Sequence, residues 1–259
     1  MTATQPLQIT TGYIPFHFPS PSSSPSSSSS SKSLSCSTFY KLIGPPPCSS
    51  NTPPLIIIHG GPGAGHDYLL PFAALWTKLG IPVIFYDQIG CGRSTSVDEV
   101  VKQCGGETEL AHGAFWNEKL SLAELVGLLD SFGLKRKDGM GYWVLGQSWG
   151  GMLAARFAAS SQRSRGLKRL ILGSALADMD LNIKGIQLIR EQSPAETQAA
   201  LKEAEQLGTF DGPAYKAAQA HFSSTHVCRA SSSASCVPSE DLLASMKNLQ
   251  EARTIYRTM

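Results

Sequence analysis

The chain has 259 residues, a formal net charge of +2 and 42% apolar residues. That length suffices for one good hydrophobic core, with room for a small second lobe. Lysine and arginine are scattered along the sequence, so the near-neutral balance gives no electrostatic reason to expect nucleic acid or an anionic membrane as a partner. The composition therefore favours a small-molecule or peptide substrate.

The N-terminal stretch MTATQPLQITTGYIPF lacks a basic start followed by an apolar core, and nowhere do eighteen apolar residues run together. We therefore expect a cytoplasmic protein without a membrane segment. The cysteines lack the paired spacings of metal ligands, so we predict free thiols and no metal site. They are Cys36, Cys48, Cys91, Cys104, Cys228 and Cys236.

Two short extended segments open the chain, at Gly12–Phe18 and Thr38–Ile43. Between them lies the serine- and proline-rich run PSPSSSPSSSSSSKSLS. Such a composition cannot bury enough surface to offset its ordering entropy. We therefore predict a disordered loop over residues 19–37 between two strands.

Two continuous apolar runs follow, Leu55–Ile58 ending at His59 and Pro82–Tyr86 ending at Asp87. Runs of this kind are typical of parallel strands that are buried on both faces. Between them a helical pattern extends from Asp67 to Leu79 and stops at Gly80. The order is therefore strand, helix, strand.

The same alternation continues along the chain. Apolar residues at helical spacing precede a strand at Tyr142–Leu145, the segment GGMLAARFAAS predicts a helix, and Arg169–Gly173 predicts another strand. Alternating strands and helices predict an α/β fold, an open and mostly parallel sheet with helices on both faces. The residues at helical spacing are Leu122, Leu125, Val126 and Leu129.

From Ala175 onward every pattern is helical. Ser193 is predicted to cap a helix that has Pro194 at its first position and stops at Gly208. A further helix is predicted from near Pro213, and another over residues 242–249. We therefore divide the chain into a core at residues 1–176 and a helical cap at residues 177–259, laid over the carboxyl ends of the strands.

The stretch VLGQSWGG presents Ser148 on the sharp strand-to-helix turn of a nucleophilic serine. Attack on an acyl carbon requires backbone N–H donors for the developing oxyanion. The Trp149 amide is one candidate donor. The second is expected from the loop HGGPGAGHDYL, where Gly60 and Gly61 allow the backbone to approach the ligand closely.

Three motifs, HGGPG, YDQIGCGRS and GQSWGG, occur here in the order and spacing of a known family. Together with TGYIPF, TFYKLIG, YKAAQAHFSSTHVCR and TIYRTM they resemble the prolyl aminopeptidases (proline iminopeptidases) of the α/β-hydrolase fold, over the whole chain. The resemblance implies a serine hydrolase that removes an N-terminal residue, often proline, from short peptides. Relatives in the family hydrolyse amino-acid amides or esters.

The resemblance also implies roles for individual residues. Ser148 matches the nucleophile, and Gly61 and Trp149 match the oxyanion donors. His59 is expected to brace a loop rather than act as a base, because it precedes the nucleophile in a fold whose base comes last. Gly60 matches the residue that positions Gly61, and the other loop-shaping positions are Pro62, Gly63, Asp87 and Gln88.

The acid and histidine of the triad should follow Ser148, each after its own strand. The resemblance implies that the family continues beyond TIYRTM, so we expect neither of them in this sequence. We therefore expect a shortened gene model or splice product that lacks the last strands, with Arg169–Gly173 as an exposed edge. Ser148, Asp211 and His226 have the right chain order for a substitute triad, but His221 and His226, the two histidines after Ser148, both fall in the helical cap pattern rather than after a strand.

Three functions are therefore open. The first is release of an N-terminal residue, with proline preferred, through an acyl-enzyme on Ser148. The second is an amidase or esterase acting on small amino-acid-like or secondary-metabolite substrates. The third is a catalytically inactive fragment. No motif requires a cofactor, since the sequence contains no P-loop and no dinucleotide fingerprint after a strand, and the sequence makes no prediction of oligomeric state.

Overall fold

The computed structural model describes residues 5–19, 33–103, 116–136 and 139–227, together with residues 240, 244 and 245. The chain divides into two compact units, residues 176–238 and the remainder. Within the described part of the chain, no helix is long and apolar enough to span a membrane.

A six-stranded sheet forms the centre of the first unit. Its strands are β1 (Ile9–Pro19), β2 (Ser33–Ile43), β3 (Leu55–Ile58), β4 (Val83–Tyr86), β5 (Tyr142–Gln147) and β6 (Leu167–Gly173). The helices of this unit are α1 (Ala74–Leu79), α2 (Val97–Gln103), α3 (Glu118–Ser131) and α4 (Trp149–Ala158), with short 3₁₀ segments at Pro47–Ser49 and Asp67–Ala73.

The strands lie in the order β1-β2-β4-β3-β5-β6. Four neighbouring strands, β4, β3, β5 and β6, are parallel, whereas β2 pairs antiparallel with both β1 and β4. The predicted α/β fold with a mostly parallel sheet is therefore confirmed. Because parallel strands end at the same edge of a sheet, His59 after β3, Asp87 after β4 and Ser148 after β5 share one edge.

Both faces of the central strands of the sheet are covered, as predicted. On one face Ile56 and Ile58 pack with Leu125 of α3 and Phe157 of α4. On the opposite face Leu55 and Ile57 pack with residues of the Asp67–Ala73 segment and of α1, among them Leu69 and Trp76. The alternation along β3 explains why its four residues are all apolar, since neither face of the strand meets solvent.

Strand β6 lies at the edge of the sheet and pairs only with β5 among the described strands. Its central residues Leu170, Ile171 and Leu172 are 37%, 44% and 48% exposed. The expectation of an exposed apolar edge at Arg169–Gly173 is therefore confirmed.

The N-terminal hairpin is longer than predicted. Strand β2 begins at Ser33, and Pro19 of β1 pairs with it. Residues 33–37 are therefore strand, which corrects part of the disordered loop predicted over 19–37; residues 20–32 lie outside the described part. The serine-rich composition misleads here because pairing with β1 supplies backbone hydrogen bonds that no local pattern encodes.

The predicted helix from Asp67 to Leu79 begins as a 3₁₀ segment, since Pro71 lies inside its first half. Only Ala74–Leu79 is α-helical, and Gly80 ends it in the left-handed conformation at φ +67°. Leu79, the last residue of this helix, is 66% exposed. The short α2 helix was not predicted.

The second unit is helical, as predicted, with α5 (Met179–Arg190), α6 (Ala195–Leu207), α7 (Pro213–Phe222) and a π-turn at Ser223–Val227. Gly208 ends α6 as expected. The predicted cap residue Ser193 is wrong, because Pro194 occupies the N-cap position and makes no side-chain cap. The buried Ser193 hydroxyl has no hydrogen-bond partner among the described residues.

The two units divide between Ala175 and Leu176, one residue before the boundary predicted after residue 176. Glu240, Ala244 and Ser245 lie within the predicted cap but belong to the first unit. A helical pattern identifies a helix but not the unit against which it packs. The predicted helix over 242–249 otherwise lies outside the described residues, and the placement of the cap over the strand ends stays a prediction.

Three of the six cysteines lie among the described residues. Cys36 and Cys91 are buried, whereas Cys48 is exposed. Cys104, Cys228 and Cys236 lie outside the described residues.

Candidate active site

Ser148 sits at the turn between β5 and α4, in a conformation that side chains rarely adopt (φ +54°, ψ −121°). Three backbone hydrogen bonds hold it there. Its N–H donates to the Gly173 carbonyl at 2.8 Å, and its carbonyl accepts from Gly151 N–H at 2.9 Å and Met152 N–H at 3.1 Å. A non-glycine residue in such a region costs on the order of 1–3 kcal/mol. The fold therefore imposes the strain that presents the serine at the helix N-terminus.

The two glycines of the G-x-S-x-G pattern are required by close packing. We call residues 146–150 the serine elbow. A Cβ on Gly146 would overlap the Gly150 carbonyl, and a Cβ on Gly150 would overlap the Ile58 carbonyl. The elbow thus packs directly on the end of β3, where the glycine-rich loop begins.

That loop, residues 60–63, is called the oxyanion loop below. A Cβ on Gly60 would lie 3.1 Å from the Ser148 Cβ, so the loop and the elbow are in contact. Gly61 has φ +115° and precedes Pro62 through a cis peptide bond, and Gly63 has φ +113°. The structure therefore brings Gly60 and Ser148 together, as the motif order predicts.

His59 determines how the peptide between Gly60 and Gly61 is oriented. Its Nε2 accepts the Gln88 N–H at 3.0 Å, so Nδ1 carries the proton and donates to the Gly60 carbonyl at 2.9 Å. Ala64 N–H donates to the same carbonyl at 3.3 Å. In a trans peptide the C=O and N–H point in opposite directions. The Gly61 N–H therefore points away from His59.

His59 is fully buried, and desolvation lowers its pKa below the usual 6.5 although Asp87 acts in the opposite direction. The ring is therefore neutral at neutral pH. Both ring nitrogens are engaged with the loops after β3 and β4. This geometry agrees with a bracing residue rather than a base for Ser148.

Gln88 connects the loop after β4 to the end of β3 and to the serine elbow. Its Nε2 donates to the His59 carbonyl at 3.2 Å, and its Oε1 accepts from the Trp149 indole at 3.4 Å. The Trp149 backbone N–H is at the first position of α4, where helix amides have no partner within the helix. Neither this amide nor that of Gly61 has a hydrogen-bond partner within the described part of the chain.

Asp87 accepts hydrogen bonds in the turn after β4. Its Oδ1 accepts from the His66 backbone and ring Nδ1, both at 2.8 Å, and its Oδ2 accepts from Arg93 N–H at 3.0 Å. Burial alone would raise the pKa of Asp87, but the hydrogen bond and charge of His66 outweigh it and hold the pKa below its usual value. The carboxylate thus closes the turn and holds His66.

Glu124 of α3 is a second buried carboxyl that contacts the same turn. It accepts from the Thr38 hydroxyl at 2.6 Å and from Ile89 N–H at 3.0 and 3.1 Å. Desolvation raises the pKa of Glu124 to about 8, because these hydrogen bonds only partly offset the burial and Asp87 adds repulsion. At neutral pH the carboxyl is therefore mostly protonated.

No histidine hydrogen-bonds the Ser148 hydroxyl among the described residues. His221 lies on α7 and His226 on the π-turn of the second unit, while Asp211 lies in the bend before α7. The arrangement of Ser148, Asp211 and His226 spans both units and stays a hypothesis. The described residues also contain no group of three or more His, Cys, Asp or Glu side chains that could hold a metal ion.

Sequence reasoning missed three residues around this site: His66, Tyr68 and Glu124. His66 and Tyr68 lie in the same HGGPGAGHDYL stretch as the glycines, but their partners are 21 and 79 residues away. Glu124 had a detectable signal, since it stands four residues after Leu120 and four before Leu128 on the apolar face of α3. A carboxylate at such a position indicates a buried polar partner.

A family model described as the alpha/beta hydrolase fold matches residues 53–228. These residues include the end of β3, the oxyanion loop and the serine elbow. The chain belongs to the α/β-hydrolase family.

Within that family the chain is similar to proline iminopeptidases. The one from Lactobacillus delbrueckii subsp. lactis is 34% identical over 220 residues, which are 85% of this chain and 62% of the relative. The one from Lactiplantibacillus plantarum is 37% identical over 190 residues, 73% of this chain and 58% of the relative. The chain thus spans less than two thirds of the length of these curated relatives.

Two solved structures resemble the chain in both fold and sequence. The proline iminopeptidase of Mycobacterium smegmatis has a TM-score of 0.65 at 35% identity, covering 86% of this chain and 67% of that one. The structure of VinJ has a TM-score of 0.71 at 32% identity, covering 95% and 70%. The predicted resemblance to the proline iminopeptidase family is therefore confirmed.

Proposed function

We propose that the protein is a serine hydrolase that releases an N-terminal residue, preferably proline, from short peptides through an acyl-enzyme on Ser148. The names of the similar proteins support the reaction class. The strained serine on its elbow supports the choice of nucleophile. A cytoplasmic location and a peptide substrate belong to the same proposal.

In the proposed reaction the Ser148 hydroxyl oxygen bonds to the carbonyl carbon of the first residue, and the C–N bond to the second residue breaks. The hydroxyl proton leaves with the amine, and water then hydrolyses the ester. Negative charge on the carbonyl oxygen would be stabilised by the amides of Gly61 and Trp149. The N-terminal end of α4 adds a favourable dipole at that position.

The observation that carries the proposal is the contact between the oxyanion loop and the elbow. A Cβ on Gly60 would lie 3.1 Å from the Ser148 Cβ. Its carbonyl is held by His59, which turns the Gly61 N–H the opposite way. The Gly61 and Trp149 amides, which have no hydrogen-bond partner among the described residues, are therefore the donors that we propose for the oxyanion.

A serine needs a general base to become a good nucleophile at neutral pH. None contacts Ser148 among the described residues, so slow reaction is expected from the 259-residue chain. Loss of the base in a serine protease costs about 10⁶ in turnover. The experiment must therefore detect slow covalent modification rather than turnover.

The test is labelling with a fluorophosphonate, read as the intact mass of the protein. We expect stoichiometric modification over long incubation that Ser148→Ala abolishes. Ser131→Ala, which alters a serine on the exposed side of α3, should label as the unsubstituted chain does. Modification that survives Ser148→Ala would contradict the choice of nucleophile, and no modification would favour the inactive fragment.

If Ser148 labels, the substrate class can be tested on fresh, unlabelled protein. Prolyl amides should react faster than amides of other residues, and acetylation of the substrate's amine should abolish reaction. Indifference to that acetyl group would favour the alternative of an amidase or esterase on small substrates.

A further inference from the structure

The hydroxyl of Tyr68 lies between the oxyanion loop and the serine elbow. It accepts the Gly60 N–H at 2.8 Å and donates to Gln147 Oε1 at 2.5 Å. Gly60 directly precedes Gly61, and Gln147 directly precedes Ser148. One partner of the hydroxyl is therefore one residue away from the proposed oxyanion donor Gly61, and the other is one residue away from the proposed nucleophile Ser148.

Tyr68 is itself held in place through both its backbone and its ring. Its backbone N–H donates to Ser245 Oγ at 3.1 Å, and Ser245 is only 2% exposed. The ring packs against the apolar cluster on one face of the sheet, which includes Leu69, Trp76 and Leu145. A rigidly placed hydroxyl can determine the position of a loop, whereas a mobile one cannot.

The direction of the two hydrogen bonds requires a protonated phenol. Burial raises the pKa of Tyr68 to about 12, although the Gly60 N–H acts in the opposite direction. The hydroxyl therefore keeps its proton across the neutral range and donates it to Gln147. A phenylalanine ring would fill the same space but provide neither bond.

We infer that Tyr68 is a positioning residue whose hydroxyl fixes the oxyanion loop against the serine elbow. The catalytic meaning of this inference rests on the proposed function. Tyr68 holds the Gly60 N–H while His59 holds the Gly60 carbonyl. The backbone of Gly60 is thus restrained on both sides, and this restraint determines where the Gly61 amide points.

Ser245 extends this restraint to the far end of the chain. It comes after the second unit in sequence but belongs to the first unit in space. Its bond to the Tyr68 backbone makes the placement of the oxyanion loop depend on a segment 177 residues away in sequence. This connection could not be predicted from any of the three motifs.

Tyr68→Phe tests the inference, with Tyr142→Phe as the matched control. The Tyr142 hydroxyl is buried without a hydrogen-bond partner among the described residues, so its removal breaks no bond. The first measurement is hydrogen exchange at the Gly60 amide by NMR. We expect exchange to be at least about tenfold faster in Tyr68→Phe and unchanged in Tyr142→Phe, because only the first removes the acceptor. Unchanged protection of Gly60 in Tyr68→Phe would overturn the inference.

The second measurement is the rate of fluorophosphonate labelling at Ser148. Loss of a whole oxyanion donor costs about 10²–10³ in rate, so a displaced donor should cost about 10- to 100-fold. The loss should appear in the maximal rate and not in the concentration for half-maximal rate. Equal labelling rates in both variants would overturn the inference. If the unsubstituted chain does not label, the proposed function fails while exchange at Gly60 still decides the role of Tyr68.

Discussion

Two hydrogen-bond networks meet near the carboxyl ends of β3, β4 and β5, and they differ in burial. The elbow network contains His59, Gly60, Tyr68 and Gln147. The turn network contains Thr38, His66, Asp87, Ser94 and Glu124. All five members of the turn network are buried, whereas Tyr68 and Gln147 are partly accessible.

This difference indicates what each network does. Breaking a fully buried network leaves donors that water cannot reach, so the cost falls on the free energy of unfolding. Partly accessible groups can replace a lost partner with water, so the main effect of a substitution there is on the geometry around Ser148. We therefore expect substitutions in the turn network to change stability, and substitutions in the elbow network to change the reactivity of Ser148.

The largest effect is expected from Asp87→Ala. Three donors would lose their acceptor, namely the buried backbone and ring N–H of His66 and the part-buried Arg93 N–H. At about 1–2 kcal/mol each, the free energy of unfolding should fall by roughly 3–6 kcal/mol. Urea denaturation followed by circular dichroism measures this loss.

Asp178→Ala is the control for this prediction, because Asp178 is an exposed helix cap whose carboxylate accepts a hydrogen bond from Leu181 N–H. Its loss should cost about 1 kcal/mol. Similar costs for the two substitutions would contradict the distinction between buried and exposed carboxylates.

A smaller effect, which depends on pH, is expected from Glu124→Gln. The pKa of Glu124 is raised from 4.5 to about 8, so its contribution to stability is fully present below pH 4.5 and lost as the pH rises through 8. Glutamine stays neutral and keeps one oxygen for Thr38 and Ile89. From pH 5 to pH 8.5 the variant should therefore gain on the order of 2–4 kcal/mol relative to the unsubstituted chain.

The comparison between variant and unsubstituted chain at each pH isolates Glu124. Burial raises the pKa of both Tyr86 and Cys91, so these neighbours stay neutral over that range. Asp87 stays ionised because its pKa is lowered. Parallel pH profiles of the two proteins would contradict burial of a titrating carboxyl.

The sequence predicted those parts of the fold that local patterns determine. Strands β3 and β4 are continuous apolar runs because both of their faces are buried, and the elbow needs glycines because backbone carbonyls approach them. The order of the motifs along the chain was sufficient to place Gly60 near Ser148. These features depend on neighbours within a few residues or on the direction of parallel strands.

What the sequence did not predict depends on partners that are distant along the chain. Thr38 and Glu124 are 86 residues apart, and Tyr68 and Ser245 are 177 apart. Strand residues 33–37 are stabilised by pairing with β1, despite a composition typical of disorder. In each case a polar side chain or backbone is satisfied by tertiary contact, which neither periodicity nor composition reveals.

The smallest effect tests the strain at the nucleophile. Ser148→Gly should stabilise the protein, because glycine adopts φ +54° and ψ −121° without a Cβ clash. Relief of about 1–3 kcal/mol of strain is offset by about 0.4–1 kcal/mol of extra entropy in the unfolded chain. The net gain of about 1 kcal/mol corresponds to a rise of about 2–4 °C in melting temperature.

Ser148→Ala is the matched control, since alanine keeps the Cβ and hence the strain while it also lacks the hydroxyl. Its melting temperature should equal that of the unsubstituted chain, although both variants lose fluorophosphonate labelling. A Ser148→Gly protein that melts at or below Ser148→Ala would mean that no strain is stored at this position. The elbow would then hold Ser148 through its hydrogen bonds to Gly173, Gly151 and Met152 alone, and the positive φ would cost the fold nothing.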